Sequence, residues 1–510
     1  MRKSLFLLTA FAAFLGMSAD ASAQFKKGAQ EQEKTEAQLI LEEVEAAEVP
    51  VAITLDEAIK IALSENVSVK VADLEIKRTE YAKKGTYASL FPKIDGSGSF
   101  QRTIKKQVMY MDIDMSSMMG GAAGGSGSTG SNNSTGSGTT GGNTTGGSTS
   151  GSSSSKSPSG GLEVGRYNTW SAGVSASMPL VNAQLWKSLQ ISDISVELAV
   201  EKARSSKLET ITQVKQAYFG TLLAKEAFNV YKEVYENAVK NFENIEKKYK
   251  VQKASEMELL RAKTTVANAV PNVYNAESSV ILALWQLKAV LGVDLDMNLD
   301  VAGCLNDYSA QMFRDIHEHD AAGLDGNSTM KQLALQAEQL AQMVKMQQFA
   351  NIPSLAVAFN YSYNAMANDF KFNDYRWTPY SFVALQLSIP IFAGGKRYND
   401  IRQARNQHAQ MQYQIENTER QLKIAIRNSL TTMETNMKTY YSAEEAVALA
   451  QKSYDVVSKS YEVGRATILD LNDAQLALTQ ARLGQSQAIY NFVIAKAQLE
   501  QTLGADFVNE

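Results

Sequence analysis

VGRATILDLNDAQ, residues 463–475, sets two aspartates three apart, just after a glycine and between two long helical patterns. A counterpart, VQKASEMELLRAK, lies 212 residues upstream at 251–263. Aligned without gaps, the two turns match Tyr249 with Tyr461, Val251 with Val463, Ala254 with Ala466, Leu259 with Leu471 and Ala262 with Ala474. The same offset returns at Leu291-Gly292 and Leu503-Gly504, and Pro179 matches Pro390 at an offset of 211. Further upstream the offset becomes 261, where Asn66 and Pro92 match Asn327 and Pro353. One insert in the first half explains the jump. The chain is therefore an internal duplication, with units at 54–292 and 326–504 joined by a linker at 293–325.

Each unit reads helix, strand, loop, strand, long helix, turn, helix. The strands alternate with period two. Trp170, Ala172, Val174, Ala176, Met178 and Leu180 form one face of a strand whose other face is Ser171, Gly173, Ser175 and Ser177. Residues 355–364 and 382–391 do the same, and 94–103 more weakly. Runs of about ten alternating residues suit a tilted strand across a bilayer, although a soluble sandwich with one wet face has the same period. The long helical patterns at 183–248 and 395–460 would each extend about 100 Å. The shorter helix after each turn carries a seven-residue repeat. Leu259, Val266, Val273, Val280 and Leu287 form one series; Ala262, Ala269, Ala276, Ala283 and Val290 form another. The second unit keeps the small series at Ala474, Ala481, Ala488 and Ala495. A strict heptad supercoils helices left-handedly, and alanine lets backbones approach closely. Pro271 is expected to kink the first of these helices. The helices opening the units, near 54–88 and 326–350, are expected to stack end to end with the closing ones.

Residues 1–23 read as a signal peptide: Arg2 and Lys3, a short apolar run, then Ala21-Ser22-Ala23 as cleavage site. Residues 24–53 form a glutamate-rich tail, and 505–510 a short C-terminal one. No stretch has eighteen consecutive apolar residues, which excludes a transmembrane helix but not strands. Residues 116–160 are nearly all Gly, Ser, Thr and Asn and cannot offset their ordering entropy by burial. Their composition reads as a disordered surface loop between two strands of the first unit.

Whole-chain charge is −4, and losing Arg2, Lys3 and Asp20 makes it one unit more acidic. With no basic stripe, nucleic acid is excluded as a partner. Cys304 is the one cysteine, so no disulfide can form within the chain. Of three histidines, His317 and His319 sit in HEHD (317–320) without a distant third ligand, so the motif reads as polar linker rather than metal site. No nucleophile motif or phosphate loop appears. The chain is not read as an enzyme, and it calls for no cofactor.

Four strands cannot close a membrane barrel, whose smallest members have eight, and an open sheet edge is not tolerated in lipid. Several chains must share one barrel, as a dimer or a trimer. On these features the chain resembles the TolC family of outer-membrane efflux channels. The segments carrying the likeness are TLDEAIKIALSEN (54–66), SMPLVNAQLW (177–186), LSIPIFAGGKR (387–397), YEVGRATILDLNDA (461–474) and the two Leu-Gly closings.

The resemblance implies an α+β membrane protein. Three chains give four strands each to a twelve-stranded barrel in the outer membrane of a Gram-negative bacterium. A long α-helical coiled-coil barrel then extends into the periplasm. It implies a homotrimer in contact with outer-membrane lipid, a periplasmic adaptor protein and an inner-membrane pump. Together they would export small molecules such as drugs and detergents, the alternative being type I protein secretion or metal export. It also places the pore constriction at Asp470, Asp473 and Tyr461. Tip residues Val251, Ala254, Ser255, Met257, Val463, Gly464, Ala466, Thr467 and Leu469 are expected to meet the adaptor. Family members often carry an arginine latch two residues after the tip glycine. Here that position is Ala466, with Arg465 beside it.

Overall fold

The computed structural model describes residues 51–109, 162–313 and 324–504. The signal peptide, most of the N-terminal tail, the 116–160 insert, the HEHD motif and the C-terminal tail lie outside the described residues. The chain divides into a helical unit, taking residues up to 88, 183–352 and from 390 on, and a β unit of 89–182 and 353–389.

The helical unit contains β1 (Val51–Ile53), α1 (Leu55–Glu65), α2 (Val67–Ala88), α3 (Ala183–Lys250), α4 (Glu256–Leu291), β6 (Leu299–Val301), a 3₁₀ segment (Leu305–Phe313), α5 (Ser328–Phe349), α6 (Lys396–Glu462) and α7 (Ile468–Leu503). Helix α3 packs on α2 and α4 along one side and on α5 and α7 along the other, and α6 packs on α5 and α7. Four columns result: α2 with α4, then α3, then α5 with α7, then α6. Alanine's small volume sets the spacing, and Ala262, Ala269, Ala276, Ala488 and Ala495 are buried in these seams. Helix α4 runs unbroken through Pro271.

The end-to-end stacking has a defined joint. Where the sequence reads as one opening helix at 54–88, the backbone breaks at Asn66, whose ψ is 130°. Its side-chain oxygen accepts from the Ser68 amide at 2.7 Å, which caps α2, and its Nδ2 donates to the Val290 carbonyl at 2.6 Å. That carbonyl belongs to the last turn of α4, which lacks an intrahelical partner for it. Asn327 repeats the device. Its Oδ1 accepts from the Met330 amide at 2.8 Å and its Nδ2 donates to the Thr502 carbonyl at 2.5 Å. Gly292 and Gly504 end α4 and α7 in the left-handed region. A Cβ on Gly504 would lie 2.2 Å from the Gly326 carbonyl oxygen, so only glycine admits the joint. Arg204 spans the second joint, donating to the carbonyls of Gly326 (3.3 Å) and Gly504 (2.8 Å).

The main core lies midway along these columns. Tyr218, Phe219, Met433, Phe492 and Leu499 are fully buried there with Ile53 and Ile61. Tyr218 donates to the Ala302 carbonyl at 2.7 Å, and burial pushes its phenol well above its ordinary pKa. Val51–Ile53 and Leu299–Val301, which the sequence reading leaves in a tail and a linker, pair as a parallel two-stranded sheet over this core.

The β unit holds β2 (Lys93–Arg102), β3 (Gln107–Met109), β4 (Leu162–Val164), β5 (Asn168–Val181), β7 (Ser354–Ala367) and β8 (Thr378–Ser388). Strands β2, β5, β7 and β8 form one antiparallel sheet in that order. The last strand spans 378–388 rather than 382–391, because Pro390 has no N–H to continue a ladder. Register places Ile94, Val174, Phe359, Tyr361, Val383 and Leu385 on one face. The opposite face carries Ser97, Ser99, Ser171, Ser175, Asn360 and Ser362. The outer sides of β2 and β8 pair with nothing among the described residues.

Candidate functional site: the two helical hairpin tips

The α3–α4 and α6–α7 turns are built alike. In the second, Gly464 takes φ +77° while the Arg465 amide donates to the Ser460 carbonyl at 2.8 Å. In the first, the aligned residue is Gln252, at φ +60°, and the Lys253 amide donates to the Lys248 carbonyl at 2.8 Å. A side chain in this region costs about 1–2 kcal/mol relative to glycine's freedom. The first hairpin bears that strain and the second avoids it.

Each turn ends in a capping box. Ser255 opens α4: its hydroxyl accepts from the Glu258 amide, and Glu258 Oε2 accepts from the Ser255 amide at 2.9 Å. Thr467 opens α7 in the same way. The carboxylate of Asp470 accepts from the Thr467 amide at 2.8 Å and the Thr467 hydroxyl at 2.7 Å. The hydroxyl and then the amide hold the Asp470 carboxyl below its ordinary pKa. Asp470 is thus both a cap and an exposed charge. The signal was in the sequence as S/T-x-x-D/E at 255–258 and 467–470, and again at Thr54–Glu57, where the same box opens α1. Asp473 stands one turn further along α7, also exposed. Behind them an exposed stripe of small and polar residues continues through Ala477, Gln480, Gly484 and Gln487.

Tyr461 is half-buried. It packs with Ile245, Ala262 and Ile468 in a small apolar cluster that joins the two hairpins. The Lys248 ammonium lies 5.7 Å from its ring centroid, and burial raises its phenol pKa. Ala254 packs against the same cluster. Ser255 and Thr467 are committed to capping, and Gly464 to the turn. Val251, Met257, Val463 and Leu469 are the exposed apolar residues of the tips, while Ala466 is half-buried. Met257 and Leu469 face an open groove between α4 and α7, also lined by Leu260, Arg261, Thr265 and Asn472. Asn472 donates to the Thr265 hydroxyl at 3.3 Å across it. Sequence reading passed over Leu260 and Asn472, although each stands three residues beyond a tip residue and so on the same helix face. Arg465 is exposed, and its backbone amide closes the turn.

Among the described residues, no group of three or more His, Cys, Asp or Glu is placed to hold a metal, and no helix is long and apolar enough to cross a membrane.

Comparison with known proteins agrees with this architecture. The family model for outer membrane efflux protein matches residues 58–293 and 323–505. The outer membrane protein TolC of Escherichia coli is 20% identical over 348 residues, 66% of this chain and 70% of the relative. The alkaline protease secretion protein AprF of Pseudomonas aeruginosa is 21% identical over 341 residues, 65% of this chain and 69% of its own. The solved channel CmeC of Campylobacter jejuni superposes with a TM-score of 0.62 at 17% identity, covering 91% of both chains. A structure of CusC superposes with a TM-score of 0.65 at 15% identity, covering 90% and 93%. With both repeats matched and the tunnel-channel fold shared, the chain belongs to the outer membrane efflux protein family, a family of outer-membrane channels.

Proposed function

We propose that three copies of this chain close one twelve-stranded barrel in the outer membrane and continue it as a helical tunnel across the periplasm. The tunnel exports small toxic molecules, drugs and detergents among them, delivered by an inner-membrane pump through a periplasmic adaptor. The observation that carries this reading is the four-stranded sheet, with one apolar face, one hydroxyl- and amide-lined face and two edges unpaired among the described residues. In lipid an apolar face is favourable and an open edge is not, so copies must supply the closure. The outer helical columns support the same conclusion. Tyr413, Ile424 and Leu449 on α6, and Val71, Leu74 and Tyr81 on α2, are exposed in a single chain. Such residues suit burial against neighbouring copies.

In this assembly Asp470 and Asp473 line the periplasmic mouth, six carboxylates around one opening, and the small polar stripe above them is the wet wall of the tunnel. Tyr461 fixes the two hairpins to each other beside that mouth. The apolar tip residues and the groove between α4 and α7 receive the adaptor. The two repeats, 54–292 and 326–504, are the structural units, and neither holds catalytic machinery.

Two measurements test the reading. Native mass determination of the protein extracted from outer membranes is expected to give three copies; two would refute it. In planar bilayers the wild-type channel is expected to prefer cations and to be blocked by a trivalent cation added from the periplasmic side. Both effects should fall sharply in the Asp470→Asn/Asp473→Asn double variant and little in Glu258→Gln. Equal block in the double variant would remove these aspartates from the constriction.

A further inference from the structure

Tyr380 and Phe382 break the pattern of the sheet. Both stand on the polar face, where every other strand residue across from them is small or hydrophilic. The row through Tyr380 reads Ser97, Gly173, Ser362, Tyr380; the row through Phe382 reads Asp95, Ser175, Asn360, Phe382. The two rings are neighbours, with centroids 5.7 Å apart, and are 50% and 41% exposed. Beside them the floor is low. Strands β5 and β7 approach so closely at Gly173 that a Cβ there would lie 2.8 Å from Ser362 Cβ. A pair of ring faces therefore rises over a shelf of hydroxyl and amide groups. Asp95, paired with Lys93 at 3.1 Å, stands at the far end of the second row.

Aromatic faces of this kind take the C–H face of a flat, partly apolar solute, and the shelf offers donors and acceptors to its rim. Two rings spaced along a strand, at about 3.3 Å per residue, span one six-membered ring. The shelf presents hydroxyl and amide groups rather than an unpaired charge. We infer that Tyr380 and Phe382 form a subsite for neutral glycosides, with sugar C–H groups on the rings and sugar hydroxyls on Ser362, Asn360 and Ser175. This rests on the channel reading above, which makes the polar face the barrel lumen. It gives a transient resting place for glycosylated or sugar-headed amphiphiles on their way out.

The test is single-channel recording with phenyl β-glucoside, a soluble non-detergent probe, added from the barrel side. The wild-type channel is expected to show brief probe-dependent current interruptions. Each ring contact accounts for a factor of about 2–12 in affinity. Tyr380→Ser/Phe382→Ser, which places on this face the residue type already surrounding it, should shorten the interruptions by about tenfold. The unblocked conductance should stay the same or rise. Asn360→Ala should shorten them by a smaller factor with both rings intact. If the double variant fails to assemble, each single variant, expected to give about a threefold change, decides the matter. Conductance without probe-dependent interruptions, or interruptions of equal length in the variants, would overturn the subsite and leave the channel standing. A protein that gives no conductance at all would overturn both.

Discussion

Replacing Asn327 by alanine removes two functions at once. The N-cap of α5 disappears, which costs about 1 kcal/mol. The Thr502 carbonyl at the end of α7 loses the donor 2.5 Å away, and leaving this partly buried acceptor unpaired costs about 1–3 kcal/mol. The joint should therefore open about 2–4 kcal/mol more easily, a factor of about 30–1,000 in the open population. Native-state hydrogen exchange read by mass spectrometry on the assembled protein measures this directly. Peptides covering 324–332 and 498–504 should exchange faster by that factor, while those from the centre of α3 stay protected. Asn327→Ser keeps a capping oxygen but not the Nδ2 donor, so it should fall between wild type and alanine. If serine and alanine exchange alike, or if neither differs from wild type, the amide does not hold the joint.

Three further outcomes follow from residues described above. Gln252→Gly should stabilise the first hairpin by about 0.5–1 kcal/mol by relieving its left-handed strain, and Gly464→Gln should destabilise the second by about 1–2 kcal/mol; protease sensitivity of the tips reports both. Ala488→Trp should cut assembled yield far more than Gln487→Trp, since overpacking a closed seam costs about 1–3 kcal/mol or more and Gln487 is exposed. Because the folded Asp470 carboxyl titrates below its unfolded value of about 3.9, its contribution to the α7 cap is present above that value. It should be lost as pH falls through the lower folded one. Protection at the α7 N-terminus, read as exchange relative to the intrinsic amide rate at each pH, should therefore fall under acid in wild type, and much less steeply in Asp470→Asn.

Local periodicity made most of the fold legible. Val174 and Phe359 alternate with serine and asparagine on their own strands, and the alanine heptads mark the buried seams without any knowledge of the partner helix. The break at Asn66 was not legible, because its reason is a carbonyl 224 residues away. The pairing of Val51–Ile53 with Leu299–Val301 was hidden for the same reason: three-residue strands carry no period and declare themselves only when brought together. At the tips, the doubled turn and its charges could be read directly. The capping role of Asp470 could have been, since the box is four residues long. The cluster around Tyr461 could not, because Ile245, Ala262 and Ile468 come from three different helices.

The open sides of β2 and β8 carry a lesson about order of events. Among the described residues, the sheet of a lone chain has two such edges. Joining a second copy satisfies one edge of each but leaves the pair with two, and any linear array still ends in two. Incomplete arrays therefore keep the same edge penalty, and the final contact removes both remaining edges at once. In the proposed shared barrel, ring closure is accordingly the step that commits the protein. Half-built species should be scarce at equilibrium, exposed to proteases, and prone to pair with the wrong strand if one copy is truncated or supplied in shortage.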